Sequence, residues 1–309
     1  MRGVIFVVLL LMVPSAVCAR QDESRIITWQ GIERHYAVHR PAQGLPSAAP
    51  LVVVLAGLGQ DLESLHRWLP IDPVADRHGF IVAYPEAIGG KWSNWRGGGI
   101  LVPAHATEEL DDVGFISAVV ETLVKEGTAD PKRVYVTGIS RGALMSWTLA
   151  CERADLFSAA APLSSAMTAW QASNCHPSRP LPIVAVDGTE DPVQFYDGFI
   201  YPPPVPRLIS VPETMAFWWR LSGCTGEKIN RLPHGDADDR TRIERYEWTG
   251  CAGGGPIMLY RVIGGGHQPP SLATDASARP EHFGRRSRDM ETAEEIWNAF
   301  MAVMNTQSP

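Results

Sequence analysis

Arg133-Val134-Tyr135-Val136-Thr137-Gly138-Ile139-Ser140-Arg141-Gly142-Ala143 is the stretch that decides how this chain folds. Arg133 to Thr137 is a short apolar run, the pattern of a strand buried on both faces. Ala143 to Arg153 reads as a helix. Between them lies a G-x-S-x-G pentapeptide. A serine on so tight a strand-to-helix turn is pushed out above the sheet with its hydroxyl exposed. The residues two positions to either side must then be small, which glycine satisfies while tolerating unusual backbone angles. The helix N-terminus beneath the serine favours developing negative charge. Ser140 is therefore the candidate nucleophile.

Similar runs recur on both sides of this unit. Leu51 to Leu55, Phe80 to Tyr84, Ser158 to Leu163, Ile183 to Val186 and Ile257 to Ile263 all read as strands, and Ile32 to His39 as an early edge strand. Helices are predicted from Asp111 or Asp112, as caps, to about Lys125, from Pro212 to Leu221 with proline in the first turn, and from Glu291 to Met304. Buried strands alternating with helices imply a parallel sheet covered on both faces, an α/β fold. No repeat and no break in composition divides the 309 residues, so residues 20–309 are expected to form one domain. Tyr201 to Pro206, with four prolines, reads as a stiff surface loop within it.

A serine hydroxyl is a weak nucleophile without a base. His267 is the best placed of nine histidines, because it follows the last strand and the run Gly264-Gly265-Gly266. His282 is the reserve; His35 and His39 precede the serine, against the chain order nucleophile, acid, histidine. The acid should follow the Ile183–Val186 strand, where Asp187 and Asp191 both stand. Either would hold the imidazole tautomer and stabilise the imidazolium, and either could instead cap a turn. The two N–H groups of an oxyanion hole are expected from Arg141, just after the nucleophile, and from Leu58, between Gly57 and Gly59.

The formal charge of −7, with no basic block, excludes a nucleic-acid binder. Arg2, the apolar run Val4 to Val13 and the small residues ending at Ala19 form the pattern of a signal peptide over residues 1–19. The apolar run is too short for a membrane span, and the chain is expected to be secreted. Lipid anchoring at Cys18 is a lesser alternative, with Val17 a poor match before it. Cleavage after Ala19 leaves Cys151, Cys175, Cys224 and Cys251, an even count that in an exported chain implies two disulfides. Three pairings are possible. Nearest-neighbour pairing is our expectation, each loop contributing roughly 3 kcal/mol. No C-x-x-C or H-E-x-x-H spacing is present, so no metal is expected, and acyl transfer by serine needs no cofactor.

The chain resembles the polyhydroxybutyrate depolymerase and feruloyl esterase group of secreted α/β-hydrolases. The resemblance rests on Leu55-Ala56-Gly57, Tyr84-Pro85-Glu86, Trp92-Ser93-Asn94-Trp95, Asp111-Asp112-Val113-Gly114-Phe115, the pentapeptide, Asp187-Gly188-Thr189-Glu190-Asp191-Pro192 and Gly264-Gly265-Gly266-His267. It spans roughly Val52 to Phe300. It implies an α/β-hydrolase fold with a mostly parallel central sheet, a serine carboxylic-ester hydrolase, the acid at Asp191 and the base at His267. Three positions depart from the family pattern: Ala56 and Asp187 each replace a histidine, and Gln268 replaces a tryptophan.

Members that degrade solid polymer often carry a linker and a binding module. None follows the last helix here, so soluble or oligomeric esters, whether hydroxyalkanoate, feruloyl or acetyl, are the expected substrates. Trp92, Trp95, Trp218, Trp219 and Trp248 could form a sugar or aromatic surface. The helical pair is as readily core, and Trp95 is the one expected to line the site. Two rivals remain: a serine peptidase on a related scaffold, and a non-catalytic binding protein with a hydrolase fold. Catalysis through His267 should fade as pH drops through the ordinary histidine value, about 6.5.

Overall fold

A computed structural model describes residues 22–45, 48–93, 110–200, 207–235, 240–252, 255–273 and 279–307. Residues 1–19, Cys18, Trp95 and the segment Tyr201 to Pro206 lie outside the described residues. Ten described strands, β1 (Asp22–Trp29), β2 (Ile32–His39), β3 (Ala49–Leu55), β4 (Ile81–Pro85), β5 (Ala129–Ile139), β6 (Ala159–Leu163), β7 (Ile183–Gly188), β8 (Gly226–Arg231), β9 (Arg242–Thr249) and β10 (Ile257–Ile263), form one sheet in the order β1-β2-β4-β3-β5-β6-β7-β10-β9-β8. The six strands from β4 to β10 in this order run parallel. An antiparallel pair completes each side. The expected edge strand, Ile32–His39, is therefore one in from the edge, because β1 pairs outside it along its whole length.

The helices are α1 (Leu62–Trp68), α2 (Asp72–His78), α3 (Asp112–Lys125), α4 (Arg141–Glu152), α5 (Ala169–Asn174), α6 (Val211–Leu221), α7 (Pro280–Phe283) and α8 (Thr292–Gln307). The central strands are continuously apolar because each face of the sheet has its own core. Leu51, Val53 and Leu55 of β3 pack with Ile116 and Val119 of α3, Trp147 of α4 and Met215 of α6. Val52 and Val54 point the other way, to Leu65 of α1, Val74 of α2 and Ile296 and Phe300 of α8. This alternation follows from the two-residue period of a strand. The Tyr135 ring stacks on Phe300 with centroids 4.5 Å apart.

Of the two aspartates expected to cap α3, Asp111 does so, accepting the Gly114 N–H at 2.8 Å. Asp112 is instead fully buried, paired with Arg34 of β2 at 2.6 Å. It also accepts the Ser93 N–H, at 2.6 Å. A charge removed from water needs such partners, and these tie three sequence-distant segments together beside the site. The disulfides pair Cys151 with Cys175 and Cys224 with Cys251, the nearest-neighbour arrangement. The first anchors the end of α4; the second closes the open end of the β8–β9 hairpin. Sequence separations of 24 and 27 correspond to about 3.5 kcal/mol each in the chain-entropy model. Among the described residues no helix is long and apolar enough to cross a membrane.

Candidate active site

Ser140 sits between β5 and α4 with φ 57° and ψ −113°, a backbone conformation that side chains disfavour. Its N–H donates to the Leu163 carbonyl of β6 at 2.9 Å, and its carbonyl accepts from Leu144 of α4 at 3.1 Å. The flanking glycines have ordinary φ values; their need is for space. A Cβ on Gly142 would lie 2.1 Å from the Leu55 carbonyl oxygen, and one on Gly138 would lie 2.5 Å from the backbone of Gly142. The helix can therefore start directly against the ends of β3 and β5.

Asp191 and His267 lie beyond β7 and β10, at the same end of the parallel sheet. This is where ligands bind in open α/β sheets. The His267 Nδ1 and the Asp191 Oδ2 are 2.6 Å apart, both side chains buried. The other carboxylate oxygen, Oδ1, accepts the N–H groups of Val193 and Gln194 at 2.7 and 2.8 Å. Both oxygens of the aspartate are thus held, and the imidazole orientation with them.

The two loops are built onto each other. Thr189 N–H donates to Val262, Glu190 N–H to Gly265, and Gly264 N–H to the Thr189 hydroxyl, each at 2.9 Å. A Cβ on Gly188 would stand 2.3 Å from the carbonyls of Gly265 and Gly266. The glycines of both motifs therefore serve this contact. His267 N–H donates to the Phe283 carbonyl of α7 at 2.6 Å.

Of the two carboxylates left open by the residue reading, Asp191 is the one bonded to His267. Asp187 is buried behind it. Burial, and then the Asp191 charge, push its carboxyl up to about 8. His282 is exposed on α7, within 4.0 Å of Glu281.

The loop from Ala56 to Asp61 is pinned residue by residue. The Trp92 indole donates to the Ala56 carbonyl at 2.9 Å. Gly57 N–H goes to the Gln60 side chain and Gly59 N–H to the Gly90 carbonyl, each at 2.9 Å. Asp61 caps α1 through the Ser64 N–H. The Leu58 N–H makes no hydrogen bond among the described residues, and the residue is 45% exposed. Arg141 is the first residue of α4, where N–H groups have no intrahelical acceptor.

Leu58, Ser140 and His267 line one cleft of about 480 Å³, with Trp68, Val193 and Phe283 as its apolar walls. Trp68 and Phe283 meet edge to face at 4.9 Å, and each ring lies 6.1 Å from His267. Neither was found by sequence reasoning: one ends α1 and the other ends α7, and no local pattern joins them. Among the tryptophans singled out, Trp92 and Trp218 are core residues, the latter stacked on Trp147. Trp248 stacks on Tyr246, and Trp219 lies under the Arg220 guanidinium. Trp95 lies outside the described residues. Gln268, where a tryptophan was expected from the resemblance, is buried, with no hydrogen-bond partner for its amide among the described residues.

A serine on a strand-to-helix elbow, with an aspartate and a histidine on later loops of a mostly parallel sheet, is the architecture of an α/β-hydrolase. The family model described as Esterase PHB depolymerase matches residues 34–201. The chain belongs to that family and is a carboxylic-ester hydrolase. It is 28% identical to the putative esterase NocK of Nocardia uniformis subsp. tsuyamanensis, over 88% of this chain and 80% of that one. It is 32% identical to feruloyl esterase B of Piromyces equi over 52% of this chain, a match that spans 29% of the relative's length. The solved acetyl xylan esterase from Aspergillus awamori shares the fold, with a TM-score of 0.58 and 17% identity over 85% of this chain and 99% of that one.

Proposed function

We propose that the chain is an exported serine esterase working through Ser140, His267 and Asp191 on short hydroxyalkanoate, feruloyl or acetyl esters. The observation that carries this reading is the buried Asp191–His267 bond, in a cleft whose wall includes the elbow serine. Ser140 Oγ attacks the ester carbonyl as His267 Nε2 takes its proton. Asp191 holds the Nδ1 proton and stabilises the imidazolium. The oxyanion is held by the N–H groups of Leu58 and Arg141. His267 then protonates the departing alcohol, and water activated by the same imidazole releases the acid from the acyl-enzyme.

The cleft sets the apolar Trp68, Val193 and Phe283 beside the polar Gln60, Asp61, Ser64 and Arg67, a mixed lining in keeping with the feruloyl and acetyl esters named for its relatives. Two disulfides fit an oxidising compartment, in accord with removal of residues 1–19 on export.

The test is hydrolysis of p-nitrophenyl acetate, p-nitrophenyl 3-hydroxybutyrate and methyl ferulate by the protein and by Ser140→Ala, beside a matched anilide. Ester cleavage that vanishes in the variant, with the anilide left intact, is the expected result. Equal activity in the variant would remove Ser140 from the reaction, and anilide cleavage at a comparable rate would make the protein a peptidase.

A further inference from the structure

A second cluster of chemistry-bearing side chains lies away from the cleft, where the first strands meet α2. We propose that Asp22 of β1, His39 of β2 and Asp72 of α2 bind a divalent cation of the zinc class. One donor atom from each falls within 4.8 Å of the other two. His39 Nδ1 is 3.2 Å from Asp22 Oδ1 and 3.7 Å from Asp72 Oδ2. Tetrahedral zinc, with bonds of about 2.0–2.1 Å, sets neighbouring ligand atoms about 3.3 Å apart, so these separations bracket the value. His66 of α1 brings its Nε2 to 3.6 Å from Asp72 Oδ2, within reach of the fourth position.

The outer groups fit as well. A metal-bound histidine usually gives its other N–H to a carboxylate, and His39 Nε2 is 3.0 Å from Asp76 Oδ1. A metal-bound carboxylate is usually hydrogen-bonded in turn, and the Tyr84 hydroxyl donates to Asp72 Oδ1. His39 and Asp72 are buried and Asp22 nearly so, which shields the three donor atoms from bulk water. The ion would fasten the outermost strand to α2. Through His66 it would also reach α1, whose first turn follows directly on the Ala56–Asp61 loop. The role is structural and independent of the ester chemistry.

The experiment uses untagged protein stripped with a chelator, incubated with zinc and passed through gel filtration. Metal is counted by mass spectrometry, and melting temperature is recorded with and without zinc. One zinc per chain and a rise in melting temperature are expected. Both should be lost in Asp22→Asn, which lies at the rim and leaves the core intact, and in His39→Gln. His267→Ala should keep both. No retained zinc in the wild-type protein would overturn the proposal. So would equal retention by folded Asp22→Asn and His39→Gln, or loss only in His267→Ala, which would put the ion in the cleft.

Discussion

Replacing Gly142 with alanine separates two explanations of the pentapeptide. If its second glycine were there for backbone freedom, alanine would be harmless, because Gly142 has an ordinary φ and opens a helix. Alanine would even stabilise that helix, by up to about 1 kcal/mol. The packing says otherwise. The new methyl would stand 2.1 Å from the Leu55 oxygen, 2.6 Å from its carbonyl carbon and 2.8 Å from the Ala56 oxygen. All three are backbone atoms at the end of a central strand, and none can rotate away. Restoring van der Waals contact needs a shift of about 1 Å between the start of α4 and the Leu55–Ala56 backbone, which carries Ser140 away from Leu58. A misplacement of this size costs about 100-fold in rate, or about 2.7 kcal/mol of transition-state stabilisation. Overpacking should lower stability by about 1–3 kcal/mol. Initial rates on p-nitrophenyl acetate and a thermal melt read the two quantities. A variant within threefold of the wild-type kcat/KM and at least as stable would refute the steric account and restore the conformational one.

Asp191→Asn keeps the shape of the acid but removes its charge. By the mechanism proposed above, kcat should fall by about 10⁴-fold with the fold intact, measured with the same ester beside circular dichroism. Asp187→Asn should act on stability instead. The folded protein keeps this carboxyl protonated up to about 8, whereas the unfolded chain ionises it near its ordinary 3.8. The unfolded state therefore binds fewer protons between those values, so this group's contribution falls by about 1.4 kcal/mol for each pH unit gained. Melting curves from pH 5 to 8 should show a flatter decline for the asparagine variant, and parallel curves would exclude a raised carboxyl.

What the sequence disclosed and what it hid divide along burial. β3, β5, β7 and β10 are legible because both their faces are covered, so their apolar runs are unbroken. β1 and β8 were missed because each has one open edge and few buried side chains; Gly226–Arg231 reads as a polar loop. The seven-residue helices α1 and α2 are too short to show a periodic stripe. At the site, Ser140 and His267 were legible from local glycine patterns that exist for contact between loops. Asp191 and Asp187 could not be separated on the residues alone, since only the 2.6 Å approach to His267 distinguishes them. Trp68 and Phe283 stand more than two hundred residues apart, so nothing local marks them as partners. A search by ligand spacing likewise passes over Asp22, His39 and Asp72, which only the fold of the first strands onto α2 assembles.

The backbone at Ser140, at φ 57°, sets two kinds of selection against each other at one Cα. Such a conformation costs a side-chain-bearing residue about 1–3 kcal/mol, and glycine occupies it nearly free of charge. By the mechanism proposed above, glycine in its place would make the protein sturdier and inert, so at this one dihedral angle turnover and robustness are set against each other.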